Sequence, residues 1–243
     1  MYRERISALA GAVVWEARTG AGHRVVPDGC MDLVWTPGRL LVAGPDTRAQ
    51  EPGGHPPGTR FAGVRLAPGT APALLGVAAH ELRDRRVGWA DLRGDAAART
   101  LTGRLDTAAD PAAELERLAL ELGAAAPRTP DPLLGAVVRA LAAGSTVRAA
   151  ADATGLGPRL LHRRSLHAFG YGPKTLARVL RFQRALGLIR AGTPLATAAL
   201  AAGCADQAHL AREIRALGGT TPSAYAASAK RETPRPSGSS TTA

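Results

Sequence analysis

The sequence predicts an α+β chain in which a small β-rich domain precedes an all-α domain. Three observations carry that prediction. Short apolar runs broken by turn residues fill residues 1 to about 76; Ala- and Leu-rich segments at helical spacing follow; and two stretches of the last third repeat one plan of short helix, glycine turn and second helix. A chain of 243 residues holds one large domain or two small ones, and the changes of texture favour two.

The strands come first. "GAVVWEA", "HRVVP", "MDLVW", "RLLVAG" and "FAGVRL" are separated by "PDG", "TPG", "EPGGHPPG" and "APG", so each apolar run is short and ends where Pro and Gly punctuate the backbone. This pattern describes a compact β fold, cupin-like or similar. From about residue 71, "APALLGVAAHEL" and then "AAELERLALELGAA" have the spacing of amphipathic helices, which makes residues 1–126 a β-rich domain with helices at its C-terminal end. "AAAPRTPDP" has three prolines in nine residues and no periodicity, and places a linker at 127–131. The closing "AKRETPRPSGSSTTA" reads as a disordered tail over 228–243.

Charge divides along the same boundary. Residues 1–127 hold 15 basic and 15 acidic side chains, whereas residues 128–243 hold 16 basic and 5 acidic, so the whole net charge of +11 belongs to the C-terminal half. Segregated positive charge points to a polyanion, because neutralising phosphates releases counterions. Arginine supplies 29 of the 31 basic residues and asparagine is absent, a bias that weakens the bare isoelectric point as an argument and leaves its distribution as the stronger one.

The two repeated stretches explain that charge. "TVRAAADATGLG" forms a short helix ended by Gly155, and Pro158 opens the next helix at a position whose missing N–H costs nothing. On this second helix Leu160 and Leu161 turn inward, while Arg159, His162 and Arg163 share an outer face, with Arg164 beside them. Arg suits a major groove, where it donates two hydrogen bonds to guanine. "ATAALAAGCADQAHLAREIRALGG" repeats the plan: Ala199 and Gly203 match Ala151 and Gly155, Asp206 caps the next helix, and Gln207, Ala208, Ala211 and Arg212 form its exposed face. Between them "PKTLARVLRFQRALGLIRAG" predicts one helix from about 173 to 190, roughly 27 Å long. Two helix-turn-helix units on such a spacer reach successive major grooves of one duplex face, about 34 Å apart.

Taken in order, these pieces resemble the AraC/XylS family of transcriptional regulators over residues 132–227: Ala151 to Gly155, "LLHRR", "FGYGPKTLARVLRFQRAL", "AAGCADQAHLAREIR" and the ending "GGTTPSAYAA". The resemblance implies recognition helices at about 158–167 and 206–216, with Arg159, His162, Arg163 and Arg164 in one groove and Gln207, Ala208, Ala211 and Arg212 in the next. It departs from the family at Ser165, where a core aromatic is usual, and at Cys204 and Ile214, which replace aromatics of the second unit; looser packing of both units is expected there. "HRVVPDGCMDLVW", "LLVAGPDTRA", "FAGVRLAPGTAPALLGVAAHELRD" and "ADLRG" resemble a sensor-like domain of unknown ligand found in some members.

Double-stranded DNA is the expected partner, with RNA polymerase, a small-molecule effector and a second copy of the chain as further candidates; an effector is expected among the strands around Val25–Trp35 and Phe61–Leu66. No cofactor and no metal are expected, since His23, His55 and His80 lack ligand spacing. Cys30 and Cys204, 174 residues apart, read as reduced thiols; Cys30 is a small core residue, with a ligand contact or redox sensor as alternatives. The chain shows no phosphate loop, Gly-x-Ser-x-Gly or paired metal motif, so an enzyme is not expected; a nonspecific nucleoid-type DNA-binding protein and a Cys-based sensor or enzyme domain fused to a DNA-binding module are the alternative readings. With neither a signal core nor an apolar run of spanning length, the expected location is cytoplasmic, with no membrane association.

Overall fold

The computed structural model describes residues 2–19, 24–51, 54–127 and 129–229. The expected tail lies outside them beyond residue 229, as do His23 and Arg128.

Six strands, β1 (Tyr2–Ile6), β2 (Ala12–Arg18), β3 (Met31–Thr36), β4 (Arg39–Ala43), β5 (Arg60–Leu66) and β6 (Arg86–Gly88), form one antiparallel sheet in the order β1-β2-β5-β3-β4-β6. Register follows the period of two. Val14 faces Val64, Leu33 faces both Val64 and Val42, and these side chains with Ala12, Trp35, Ala62 and Leu66 all point to the buried face. Helix α4 (Pro111–Ala125), capped by the Asp110 carboxylate, lays Leu115, Leu118 and Ala119 on that face. Helices α1 (Ala71–Leu75), α2 (Trp89–Arg93) and α3 (Asp95–Thr107) complete the domain.

Several local expectations need correction. "APALLGVAAHEL" is not one amphipathic helix: α1 stops after five residues because Gly76 turns left-handed (φ 65°), and the chain resumes only as a 3-10 turn at Ala79–Glu81. "HRVVP" is not a strand of the sheet; only Val25 pairs, with Gln50, while Arg24 and Val26 turn toward the C-terminal helices. The opening residues, which carry no turn signal before Ser7, form β1 and a hairpin with β2. Within the strands around Val25–Trp35 and Phe61–Leu66, Leu33, Trp35, Ala62, Val64 and Leu66 are buried in the core of the sheet domain.

The C-terminal half is helical throughout. The first unit comprises α5 (Pro132–Ala142), α6 (Val147–Thr154) and α7 (Pro158–Phe169); the second comprises α9 (Leu195–Ala202), α10 (Gln207–Gly218) and α11 (Pro222–Ala229); α8 (Pro173–Arg190) joins them. Helix α8 is more than the spacer its sequence suggests. Leu176 and Val179 belong to the core of the first unit, while Phe182, Ala185, Leu186 and Ile189 belong to the core of the second. Each unit is therefore folded against one half of a shared helix.

Candidate nucleic-acid interface

The two helix-turn-helix segments are built by one local device. In the first, Gly155 (φ 66°) ends α6 and the next amide, Leu156 N–H, donates back to Ala151 O at 3.1 Å; in the second, Gly203 (φ 85°) ends α9 and Cys204 N–H donates to Ala199 O at 2.8 Å. Leu156 and Cys204 are thus equivalent, and both are buried beneath the turn. Leu161 and Leu210 then anchor α7 and α10 on their units.

That packing decides which side chains face water. Arg159, His162 and Arg163 are exposed along α7, and neither arginine makes an ion pair among the described residues. His162 lies over Gly172, where a Cβ would come within 2.9 Å of the ring, so its imidazole sits against the start of α8 while remaining exposed. Arg164 is placed differently from its neighbours: it donates to Asp131 Oδ2 at 3.1 Å, and Asp131 also caps α5 by accepting from Leu133 N–H at 2.9 Å. The structure thus gives Arg164 an intramolecular partner that holds α7 to α5. On α10, Gln207, Ala208 and Arg212 are exposed and Ala211 is half-buried, all on the face away from Leu210 and Ile214. Asp206 caps this helix by accepting from His209 N–H at 2.6 Å, and Ala205 N–H donates to His209 Nδ1 at 3.2 Å.

The departures at Ser165 and Ile214 fall at equivalent positions, four residues past Leu161 and Leu210, and both side chains are fully buried. Ile214 fills its site with hydrocarbon, whereas the buried Ser165 hydroxyl has no hydrogen-bond partner among the described residues. Buried polar atoms without a partner among the described residues also occur on the side of the second unit, at Arg181 Nε and Arg190 Nη2 of α8.

Helix α10 is also held by charge. Glu213 accepts from Arg178 Nε at 2.8 Å and lies 3.6 Å from Arg181 Nη2, both on α8. Burial alone would raise the Glu213 pKa, but Arg178 and then Arg181 hold it below the usual carboxylate range. These arginines are basic residues of the C-terminal half that serve the fold. Their i, i+3 spacing on α8 was the sequence signal for a shared face; the distant Glu213 partner had none.

The N-terminal domain leans on the C-terminal ends of both recognition helices. Gly170, which ends α7, accepts from Arg83 Nη1 at 3.3 Å and is packed so closely on Pro45 and Ala79 that a Cβ would meet Pro45 at 2.6 Å; the Phe169 ring lies on Gly69. At the end of α10, Leu217 O accepts from Ala49 N–H at 2.6 Å and Gly219 O accepts from Arg24. Val26 joins the core of the second unit, and Gln183 of α8 donates to Pro27 O. Tyr171 is buried beside the Gly29 turn. Cys30, in that turn, is a free thiol whose pKa is pushed well up by burial and then by Asp28, the wrong direction for a reactive thiolate.

No group of His, Cys, Asp and Glu suited to a metal ion occurs among the described residues, and no helix among them is long and apolar enough to cross a membrane.

Comparison with known proteins places the chain from two sides. A family model described as a helix-turn-helix domain matches residues 150–228, and one described as a domain of unknown function, DUF6597, matches residues 11–88. Among solved structures, the apo form of a ToxT variant from Vibrio cholerae is similar over 91% of this chain and 98% of its own, with a TM-score of 0.50 and 10% identity. Wild-type ToxT from the same organism, bound to an unsaturated fatty acid, aligns over 91% and 96% with a TM-score of 0.49 and 9% identity. No curated protein matches the chain. At such low identity the likeness to the ToxT variant is one of fold alone.

Proposed function

We propose that the chain is a DNA-binding transcription regulator of the AraC type that binds specific sequences by placing α7 and α10 in successive major grooves, a reading supported by the helix-turn-helix model over residues 150–228. One observation carries this reading: two helices with equivalent turns, built on opposite halves of α8, each present an outer face with no structural duty. Arg159, His162 and Arg163 supply donors for guanine and phosphate in one groove. Gln207 and Arg212 supply donors in the other, with Ala208 and Ala211 offering methyl contacts to thymine. Arg164 acts through Asp131, keeping α7 seated.

Residues 1–126 are read as the regulatory domain and 132–227 as the reading module, with candidate partners in an effector, a second copy of the chain or RNA polymerase. The contacts from Arg83 and Arg24 to the ends of α7 and α10 support this reading, because any change in the sheet domain's docking reaches both readers directly. Enrichment of bound fragments from random DNA by the full chain, in the presence of nonspecific competitor, tests the function. Recovery of a defined motif supports it; binding that competitor abolishes, with no motif, would favour the nucleoid-type alternative.

A further inference from the structure

Arg184 stands near the middle of α8 and faces the space between the two units. Its Nη2 donates to Leu141 O at 3.1 Å and to Ala142 O at 2.7 Å, the last carbonyls of α5; its Nη1 donates to Ala202 O at 3.1 Å, the last carbonyl of α9. One guanidinium thus closes the C-terminal end of a helix in each unit. No carboxylate lies within ion-pair distance of it among the described residues. The charge is balanced by the two helix ends, whose terminal carbonyls carry the negative pole of the helix dipole.

The geometry has a consequence for orientation. The units pack on α8 rather than broadly on one another. Within the first, α5 shares a core with α6 and α7 through Leu134, Val137 and Leu141; within the second, α9 shares one with α10 through Ala198, Ala199 and Ala202. Each unit is therefore rigid about its own recognition helix. A planar fork whose donors point in fixed directions ties the ends of α5 and α9 to a single plane, and rotation of either unit about α8 breaks one set of hydrogen bonds. Arg181 and Arg178, about one and two turns earlier on α8, hold α10 through Glu213, so their ion pairs fix the second unit only.

We propose that Arg184 is a positioning residue that sets the phase between α7 and α10 and so the half-site spacing the protein accepts. The proposal rests on the two-groove reading above. One added base pair rotates one half-site relative to the other by about 35° and lengthens the site by about 3.4 Å, so a rigidly phased pair of readers discriminates strongly against it.

The test uses the full chain and duplexes carrying its enriched half-sites at the selected spacing and at one base pair more or fewer. Wild type is expected to prefer the selected spacing by about tenfold or more. Arg184→Met keeps the aliphatic stem and loses every donor; its preference is expected to fall below about threefold, while affinity for an isolated half-site and base preference within each half-site stay at wild-type values. Arg184→Lys, which reaches one helix end at a time, should lie between. A folded Met variant, by circular dichroism, that keeps the wild-type spacing preference overturns the proposal. If the Met variant does not fold, a folded Lys variant with undiminished preference overturns it equally. A wild type indifferent to spacing overturns the two-groove reading itself, which distinguishes the two failures.

Discussion

The first and second helix-turn-helix units share a plan and divide its duties. The first exposes Arg159, His162 and Arg163, yet its recognition helix starts at Gly157 with no side-chain cap and buries an unpartnered Ser165 hydroxyl. The second is capped by Asp206, closed by Ile214 and fastened to α8 by Glu213, yet two of its four outer positions are alanines. The exposed cationic side chains of the two outer faces lie mostly on the first unit. The lesson is that charge and local closure need not sit together, since both units have outside support: Phe169 and Gly170 at the end of α7 are covered by the sheet domain and Arg83, while Leu217 and Gly219 at the end of α10 accept from Ala49 and Arg24.

The comparison is broken most severely in the second core. Ile214→Ala removes a fully buried side chain from a well-closed site and is expected to cost about 2–5 kcal/mol in denaturant unfolding of the full chain. A cost near zero would mean that Ile214 does not anchor the second unit's core.

Next come the readers. Arg163→Ala is expected to weaken binding to the selected site by about 1–3 kcal/mol and to relax preference at one base position in the first half-site. Ala211→Gly, which removes a methyl and no donor, should cost less in affinity and act at the second half-site only. Competition titrations against single-position variants of the site measure both, and a uniform loss for Arg163→Ala would assign that side chain to phosphate.

A smaller change of opposite sign sharpens the contrast. Ser165→Ala deletes the buried hydroxyl without opening a large cavity, and is expected to raise stability by about 1 kcal/mol, read as a shift in the unfolding midpoint at unchanged slope.

The mildest test touches the sheet domain alone. The hydrogen bond from Arg5, opposed by burial and supported by Ser7 Oγ and Ala8 N–H, holds Glu116 down at about 2 against its ordinary 4.5. Because the folded pKa lies below the unfolded one, this contribution is present above pH 4.5 and is lost as pH falls toward 2. Thermal melting between pH 5 and pH 2.5 should show a steeper fall for wild type than for Glu116→Gln.

How much of this the sequence discloses depends on the range of the interaction. Gly155, Gly203, Pro158 and Asp206 act within one turn of themselves, so both helix-turn-helix units and α8 were legible, as were the strands β2 to β5 from their short apolar runs between turn residues. Exposure of Arg159, Arg163, Gln207 and Arg212 followed from helical period alone. Arg164 has the same composition and neighbourhood as Arg163, and only the fold shows Asp131, 33 residues away, beside it. Arg184 likewise looks like any arginine of a basic helix until α5 and α9 end at its guanidinium. Burial in the sheet follows the same rule: the apolar runs mark the strands, but only the fold shows that Leu115, Leu118 and Ala119 of α4, far along the chain, cover their inward face. Strand β6 has three residues and no pattern of its own; it exists because Val87 pairs with Val42.

The central claim is that α7 and α10 read one duplex together. Hydroxyl-radical and methylation footprinting of the full chain on its selected site tests it most directly. Two protected major grooves on one face of the duplex, their centres about 10–10.5 base pairs apart and the first lost selectively with Arg163→Ala, is the expected result. Protection of a single groove, or protection spread evenly along the fragment and indifferent to that substitution, would contradict it.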